Sequence, residues 1–266
     1  FVVDEAHCIS KWGSDFRQEY DLLKELQNHF PEAVISAFTA TADEETRSDI
    51  NNKLTNGEGK IFLHGFNRPN LSLAVQQKTN NWKAQLLEFL ENRKNQSGIV
   101  YCLSQKLTEQ CSEFLRSEGF NAYPFHAGLD TQVKIDTQDK FMTEDNVVVC
   151  ATIAFGMGID KADVRYIAHI SLPSSMEAFY QEIGRAGRDG IEADTLLIFG
   201  LQDLFQRKRF IDMSDAHDSF KIKEHKRLEA LIAYCDSATC RRQTLLSYFK
   251  ETCETCGKCD NCLNPP

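Results

Sequence analysis

Short apolar runs recur along this chain, each followed by a polar turn and a longer stretch whose apolar positions return at helical spacing. Residues 71–75, 99–102, 122–125, 147–151, 165–170 and 196–199 read as strands, since continuous apolar runs suit a parallel sheet buried on both faces. The last of these runs is expected to close the sheet. Helices are predicted at about 82–93, 105–118 and 131–142 between them. Strands alternating with helices of about 10–15 residues indicate βαβ units. Residues 1 to about 64 read as strand, aromatic loop, helix, strand, helix, strand, with a strand over 33–38. Thr41-x-x-Glu44 makes a capping box for a helix over about 43–54, and Ser174-x-x-Glu177 caps a helix carrying Gln181 and Arg185. Gly65-Phe66-Asn67-Arg68-Pro69-Asn70-Leu71 is a turn cluster and a credible linker. The pattern predicts an α/β protein: one parallel-sheet domain within 1–66, a second over 67–203, and a small helical segment over 204–266.

Composition narrows the class only a little. The chain has 266 residues, 42% of them hydrophobic, enough for two domains and an appendage. Its net charge of −9 gives no whole-molecule attraction to nucleic acid, so any such contact must be local. Arg207-Lys208-Arg209, the stretch from Lys221 to Arg227, and Arg241-Arg242 are the basic patches available, each an ordinary solvated helix face when judged alone. No apolar run is long enough to span a bilayer, so no membrane partner is expected. No signal-peptide pattern is seen, and the cysteine usage fits reducing conditions.

Chemistry concentrates in three places. Gln181-Glu182-Ile183-Gly184-Arg185-Ala186-Gly187-Arg188-Asp189-Gly190 sets two arginines one helical turn apart, among small residues that allow another surface to approach. Arginine's planar fork matches phosphate oxygens, and phosphoryl transfer needs such a charge near the γ-phosphate. The block resembles motif VI of superfamily 2 helicases. Phe1-Val2-Val3-Asp4-Glu5-Ala6-His7 is a strand delivering paired acids to the carboxyl edge of a sheet, where ligands of open α/β sheets bind. It resembles the Asp-Glu-Ala-His form of helicase motif II, in which Asp4 would hold Mg²⁺ through water and Glu5 would orient or deprotonate the attacking water. Cys8-Ile9-Ser10-Lys11-Trp12-Gly13-Ser14-Asp15-Phe16-Arg17 then looks like the aromatic-rich loop of RecQ-family DNA helicases. Trp12 and Phe16 offer faces for stacking bases, while Lys11 and Arg17 can meet phosphates.

The resemblance extends through the chain in the family's order. Phe38-Thr39-Ala40-Thr41-Ala42 looks like motif III, and Asn67-Arg68-Pro69-Asn70 like the segment joining two RecA-like domains. Ala151-Thr152-Ile153-Ala154-Phe155-Gly156-Met157-Gly158-Ile159-Asp160 looks like motif V. Its Gly156 and Gly158 permit positive φ and close backbone approach. The family implies contacts from Thr152 to DNA and from Gly158 and Asp160 to the nucleotide side, and coupling of the ATP and DNA sites by His7. His126 sits at the equivalent edge of the second domain, where a role and a plain structural hydrogen bond are equally good readings. Ala162 and Gln18 replace frequent prolines, which touches backbone stiffness rather than chemistry.

Six of the 10 cysteines lie between Cys235 and Cys262. Cys256-x-x-Cys259-x-x-Cys262 supplies three thiolates for a tetrahedral Zn²⁺, and either Cys240 or Cys253 supplies the fourth. The resemblance to the RecQ zinc-binding module favours Cys240, at the Cys-Arg-Arg helix. Cys235 is expected to be packed, and Cys8, Cys102, Cys111 and Cys150 to be core residues. A four-sulfur site would be closed and structural.

The resemblance implies two RecA-like domains, the first truncated, followed by a helical zinc-binding domain. It further implies an ATP-dependent 3′-to-5′ DNA helicase of recombination and repair, taking ATP, Mg²⁺ and Zn²⁺, and engaging single strands and duplex junctions. Asp4, Glu5 and Arg188 would be catalytic, with Arg185 and Gln181 in support at a nucleotide cleft between the domains. The protein would act at the nucleoid of a bacterium or in a eukaryotic nucleus. The phosphate loop Gly-x-x-x-x-Gly-Lys-Ser/Thr is absent from these residues, so the chain by itself is expected to hydrolyse ATP poorly. The rival readings are a non-catalytic zinc-stabilised DNA-binding module and an RNA helicase of the same superfamily.

Overall fold

A computed structural model describes residues 1–9, 18–40, 44–156 and 159–265. The chain divides into two compact units, residues 1–65 with 215–223, and residues 66–214 with 224–266.

In the first unit, β1 (Val2–Val3) pairs in parallel with β2 (Ser36–Ala37), Val2 opposite Ser36. Short helices α1 (Gln18–Asp21) and α2 (Leu26–His29) precede β2, and α3 (Glu44–Thr55) follows it. Val3, Ala6, Ile9 and Leu54 form a small core, with Tyr20, Leu23, Leu26, Ile35 and Ile50 packed against it. The helix matches its expected span, but the strand expected over 33–38 is reduced to two residues. The last strand expected before residue 64 does not form, and Ile61, Phe62 and Leu63 are exposed. An apolar run becomes a strand only where a neighbour satisfies its N–H and C=O groups. Among the described residues this sheet offers only β1 and β2.

The second unit is built on β3 (Leu71–Gln77), β4 (Gly98–Tyr101), β5 (Asn121–Phe125), β6 (Val147–Ala151), β7 (Tyr166–His169) and β8 (Ala193–Phe199). All pairings are parallel, in the order β3-β8-β7-β4-β6-β5. The strand expected to close the sheet, β8, is instead inserted between β3 and β7, which leaves β3 and β5 as edges. Each central strand sends alternate residues to opposite faces. Val100, Val148, Cys150, Ala168 and Leu196 meet Leu86 and Leu90 of α4 (Trp82–Leu90) and Cys111 and Leu115 of α5 (Gln105–Ser117). Ile99, Tyr101, Val149, Ile167 and Leu197 meet Phe141 of α6 (Thr131–Thr143) and Met176, Phe179 and Ile183 of α7 (Met176–Ile183).

That second face also receives the C-terminal helices. α8 (Leu201–Asp212), α9 (Asp218–Asp236) and α10 (Arg241–Tyr248) lead to the short α11 (Asp260–Leu263). Leu228, Leu231, Tyr234 and Leu245 belong to the same core cluster, and so do Cys240 and Cys259. The edge of β3 is covered: Val75 N–H donates to Asp260 at 2.9 Å, and Ser72 Oγ donates to the Lys258 carbonyl at 3.3 Å. A covered edge cannot recruit foreign strands. Among the described residues, no helix is long and apolar enough to cross a membrane.

Candidate functional site

The arginine block begins on α7. Its N-cap is Ser175, whose Oγ accepts from Ala178 N–H at 3.2 Å, one residue beyond the expected Ser174. The helix ends at Ile183 with Gly184 as its cap, so Gln181 lies half-buried in the last turn. Arg185 and Arg188 therefore sit in a loop past the helix, a correction to the expectation that the helix carries Arg185. That loop is tied down. Ala186 N–H donates to Ile183 O at 3.1 Å and Gly187 N–H to Val164 O at 2.9 Å. Arg68 donates to the carbonyls of Gly184 (3.2 Å), Ala186 (2.9 Å) and Gly187 (3.0 Å). Asn70 Nδ2 donates to the carbonyls of Gly187 (2.8 Å) and Ile191 (2.9 Å).

Gly187 has φ +57, and a Cβ there would run into Asn70 Nδ2 and, at 2.7 Å, the Ile191 carbonyl. Both facts require glycine. Arg185 donates to the Gly156 carbonyl, and its guanidinium fills the space a Cβ at Gly156 would need. Close approach, not positive φ, is thus what Gly156 supplies. Arg188 reaches the surface and pairs with Asp160, so two predicted residues from separate loops meet. Thr152, half-buried, donates its N–H to Phe125 O at 3.1 Å and accepts from Phe155 N–H at 3.1 Å.

Several residues around this loop escaped the sequence reading. His169 is buried beneath it, with Nε2 2.7 Å from Glu182 Oε2 and its ring stacked on Tyr101 at 5.1 Å. Burial pushes the Tyr101 hydroxyl well above its ordinary pKa. Arg165 donates to Asp189, and this bond holds the Asp189 carboxyl below the usual carboxylate range. Arg68 and Asn70 stand in the sequence as members of a turn cluster resembling an interdomain segment, with no site role attached. His126 is buried, with Nε2 3.3 Å from Glu109 Oε1.

In the first unit the acid pair follows β1. Asp4 is exposed, and one of its carboxylate oxygens accepts from Glu5 N–H at 2.8 Å. Glu5 holds φ +49, a left-handed conformation uncommon outside glycine. His7 Nδ1 lies 3.3 Å from Glu5 Oε2 and 2.9 Å from Thr39 Oγ1, joining the acid pair to the next strand end. Cys8 is half-buried with its sulfur 3.8 Å from His7 Nε2, rather than in the core. Lys11, Trp12, Phe16, Arg17, Gly158 and Thr41 lie outside the described residues.

Cys240, Cys256, Cys259 and Cys262 bring their sulfurs within 4.8 Å of one another. Sulfurs ~2.3 Å from a shared Zn²⁺ would stand a little under 4 Å apart in a tetrahedron. The 3.9 Å between Cys240 and Cys259 and the 4.0 Å between Cys256 and Cys262 fit that ion. Two sulfurs also accept backbone N–H groups, Cys240 from Cys256 at 3.3 Å and Cys259 from Arg241 at 3.4 Å. Burial resists ionisation of Cys256 and Cys259, whereas backbone N–H groups, that of Lys258 toward Cys256 and that of Arg241 toward Cys259, favour the thiolates. Thiolates are what a metal requires. Cys253, the rival ligand, lies outside this group of four. Burial pushes Cys235 up to about 12, as a packed residue would be.

Four of the arginines in the basic patches are held by groups within the fold. Arg241 is buried and donates to Asp260 (3.0 Å) and to the carbonyls of Tyr234 (2.7 Å) and Cys235 (2.9 Å). Arg242, also buried, donates to Asn67 Oδ1 at 3.0 Å and to the carbonyls of Arg68 and Leu71. Arg207 donates to Leu172 O at 2.6 Å, and Arg227 bonds Glu224 at 3.1 Å. A phosphate track through Arg241-Arg242 is thereby ruled out.

Comparison with known proteins places these features. The family described as helicase conserved C-terminal domain matches residues 82–190, and the family described as RecQ zinc-binding matches residues 201–263. The ATP-dependent DNA helicase RecQ of Haemophilus influenzae is 43% identical over 266 residues, covering 100% of this chain and 43% of that protein. The ATP-dependent helicase SGS1 of Saccharomyces cerevisiae is 40% identical over 269 residues, covering 99% of this chain and 19% of that protein. The chain thus spans less than half the length of these relatives. A solved structure of Saccharomyces cerevisiae Dbp5 bound to RNA and ADP BeF3 superposes with a TM-score of 0.59 at 20% identity, covering 87% of this chain and 63% of that one. At that identity it speaks for the fold alone.

Proposed function

The chain belongs to the RecQ helicase family, and from that premise we propose that it forms part of an ATP-dependent DNA helicase acting 3′ to 5′ in recombination and repair. The observation that carries this reading is the arginine loop, which holds one guanidinium at the surface on a backbone anchored by Arg68 and Asn70. A phosphoryl-transfer site needs such a preorganised positive charge.

Arg188 would leave Asp160 for the γ-phosphate, while Arg185 stiffens the loop from below through Gly156 and Gln181 supports it from α7. Asp4 would hold Mg²⁺ through water, an arrangement that suits a single exposed carboxylate because this ion keeps most of its waters. The ion would neutralise charge on the phosphates. Glu5 would orient and deprotonate the attacking water, and His7 would link that event to Thr39 and so to DNA contact. Lys11, Trp12, Phe16 and Arg17 would engage a single strand by stacking and phosphate contact, with Thr152 on the backbone and Gly158 beside the nucleotide. We assign residues 1–66 to the first RecA-like domain, 67–203 to the second and 204–266 to the zinc-binding domain. Zn²⁺ on Cys240, Cys256, Cys259 and Cys262 would be structural, with no open position for a catalytic water. The site of action is wherever the cell keeps its DNA, nucleoid or nucleus.

The test is ATP turnover by the full-length protein with and without single-stranded DNA, beside unwinding of matched DNA and RNA duplexes. DNA-stimulated turnover with DNA unwinding supports the reading. DNA binding without turnover would replace it by the non-catalytic module, and preference for RNA would overturn the substrate.

A further inference from the structure

Residues 66–70 run between the cysteine module and the arginine loop, and they are bonded to both. On the module side, Phe66 N–H donates to the Glu251 carboxylate at 2.8 and 3.0 Å, and its ring stacks on Phe249 at 4.3 Å. Arg242 grips Asn67 Oδ1 and the carbonyls of Arg68 and Leu71. Its neighbour Arg241 donates its backbone N–H to the Cys259 sulfur. On the loop side, the Phe66 carbonyl accepts from Tyr180 of α7 at 3.0 Å. The guanidinium of Arg68 then spans the carbonyls of Gly184, Ala186 and Gly187. A helix end leaves carbonyls unsatisfied and carries partial negative charge, so a cation placed there stabilises one loop conformation.

We propose that Arg68 is a positioning residue for the arginine loop, and that the four-thiolate cluster sets Arg68 through the grip of Arg242 on its backbone. Metal occupancy of the module is thereby communicated to Arg188 through contiguous hydrogen bonds. This rests on the reading of Arg188 as the phosphate-facing group. Arg68 touches no reacting atom. Its side chain decides where the loop carbonyls point, and those carbonyls decide where Arg188 stands. Arg242 holds Arg68 only while α10 is pinned at Cys240 and Cys259, which is what a shared ion secures.

Hydrogen–deuterium exchange on the 266-residue chain tests this without recourse to activity. Arg68→Gln should speed exchange over 184–190 by about tenfold or more while β4, β6 and β7 keep their protection. Arg68→Lys, which retains the charge with a different donor geometry, should recover part of the slowing. Chelation of the zinc, or Arg242→Gln, should speed both 66–71 and 184–190. An unchanged loop in Arg68→Gln, or equal loss of protection throughout the second unit, overturns the proposal. So does a chelation effect confined to 240–262. In the full-length protein, Arg68→Gln should lower kcat for ATP by about tenfold with KM within about twofold, because it displaces Arg188, the group that acts on the transition state. If Arg188→Ala leaves turnover intact, the reading of Arg188 fails, while the exchange result still decides the coupling.

Discussion

Arg188 is paired with Asp160, joining the arginine loop to the glycine-bearing loop that follows β6. The Arg188 side chain is 37% exposed and that of Asp160 82%, so the pair is heavily screened. Such pairs are worth ~0–1 kcal/mol. A guanidinium held so loosely is free to exchange a carboxylate for a phosphate.

Arg188→Ala should therefore leave the melting temperature within about 4 °C of the parent. ATP turnover in the full-length protein should nonetheless fall by about 10³-fold or more. Parallel thermal melts and steady-state kinetics check both halves. A large drop in melting temperature would mean that the arginine serves the fold.

Cys240→Ser should abolish stoichiometric zinc, whereas Cys253→Ser should retain one ion per chain. Atomic absorption on purified protein reads this directly. The reverse result would move the fourth ligand to Cys253.

Gly187→Ala combines a left-handed backbone with a collision against Asn70 and the Ile191 carbonyl. It should cost about 1–3 kcal/mol of stability, visible as an earlier denaturation midpoint. A neutral outcome would show that the loop relaxes freely.

Glu182→Ala removes the partner of buried His169, whose Nδ1 already lacks a hydrogen bond among the described residues. The loss should be about 1–3 kcal/mol, since a buried polar group stripped of its partner keeps its desolvation cost. Glu182→Gln, which keeps an acceptor, should recover most of it in the same denaturant titration.

Much of the site was legible from chemistry alone. Thiols spaced by two residues, adjacent acids after an apolar run, and arginines among small residues each limit their possible uses. Cys240, Cys256, Cys259 and Cys262 converge as their spacing and the family likeness suggested. Other features resisted. Arg241-Arg242 looked like a solvated basic patch, but both side chains turn inward, Arg241 to the nearby carbonyls of Tyr234 and Cys235 and Arg242 to the Leu71 carbonyl 171 residues away in sequence. The segment Asn67-Arg68-Pro69-Asn70 looked like a linker, because nothing local says that Arg68 bonds a loop 116 residues later.

The amino-acid sequence by itself determined which segments become strands and helices in the second unit, and which side chains carry charge, thiol or ring. Periodicity, caps and side-chain chemistry are local properties and survive without coordinates. Tertiary structure alone decided that β8 enters between β3 and β7, that the apolar run at 61–63 forms no strand, and that residues 66–70 bridge the cysteine module to the arginine loop. Those outcomes depend on which distant groups satisfy a backbone donor or acceptor, and hydrogen-bond partners across a hundred residues leave no periodic trace in the chain.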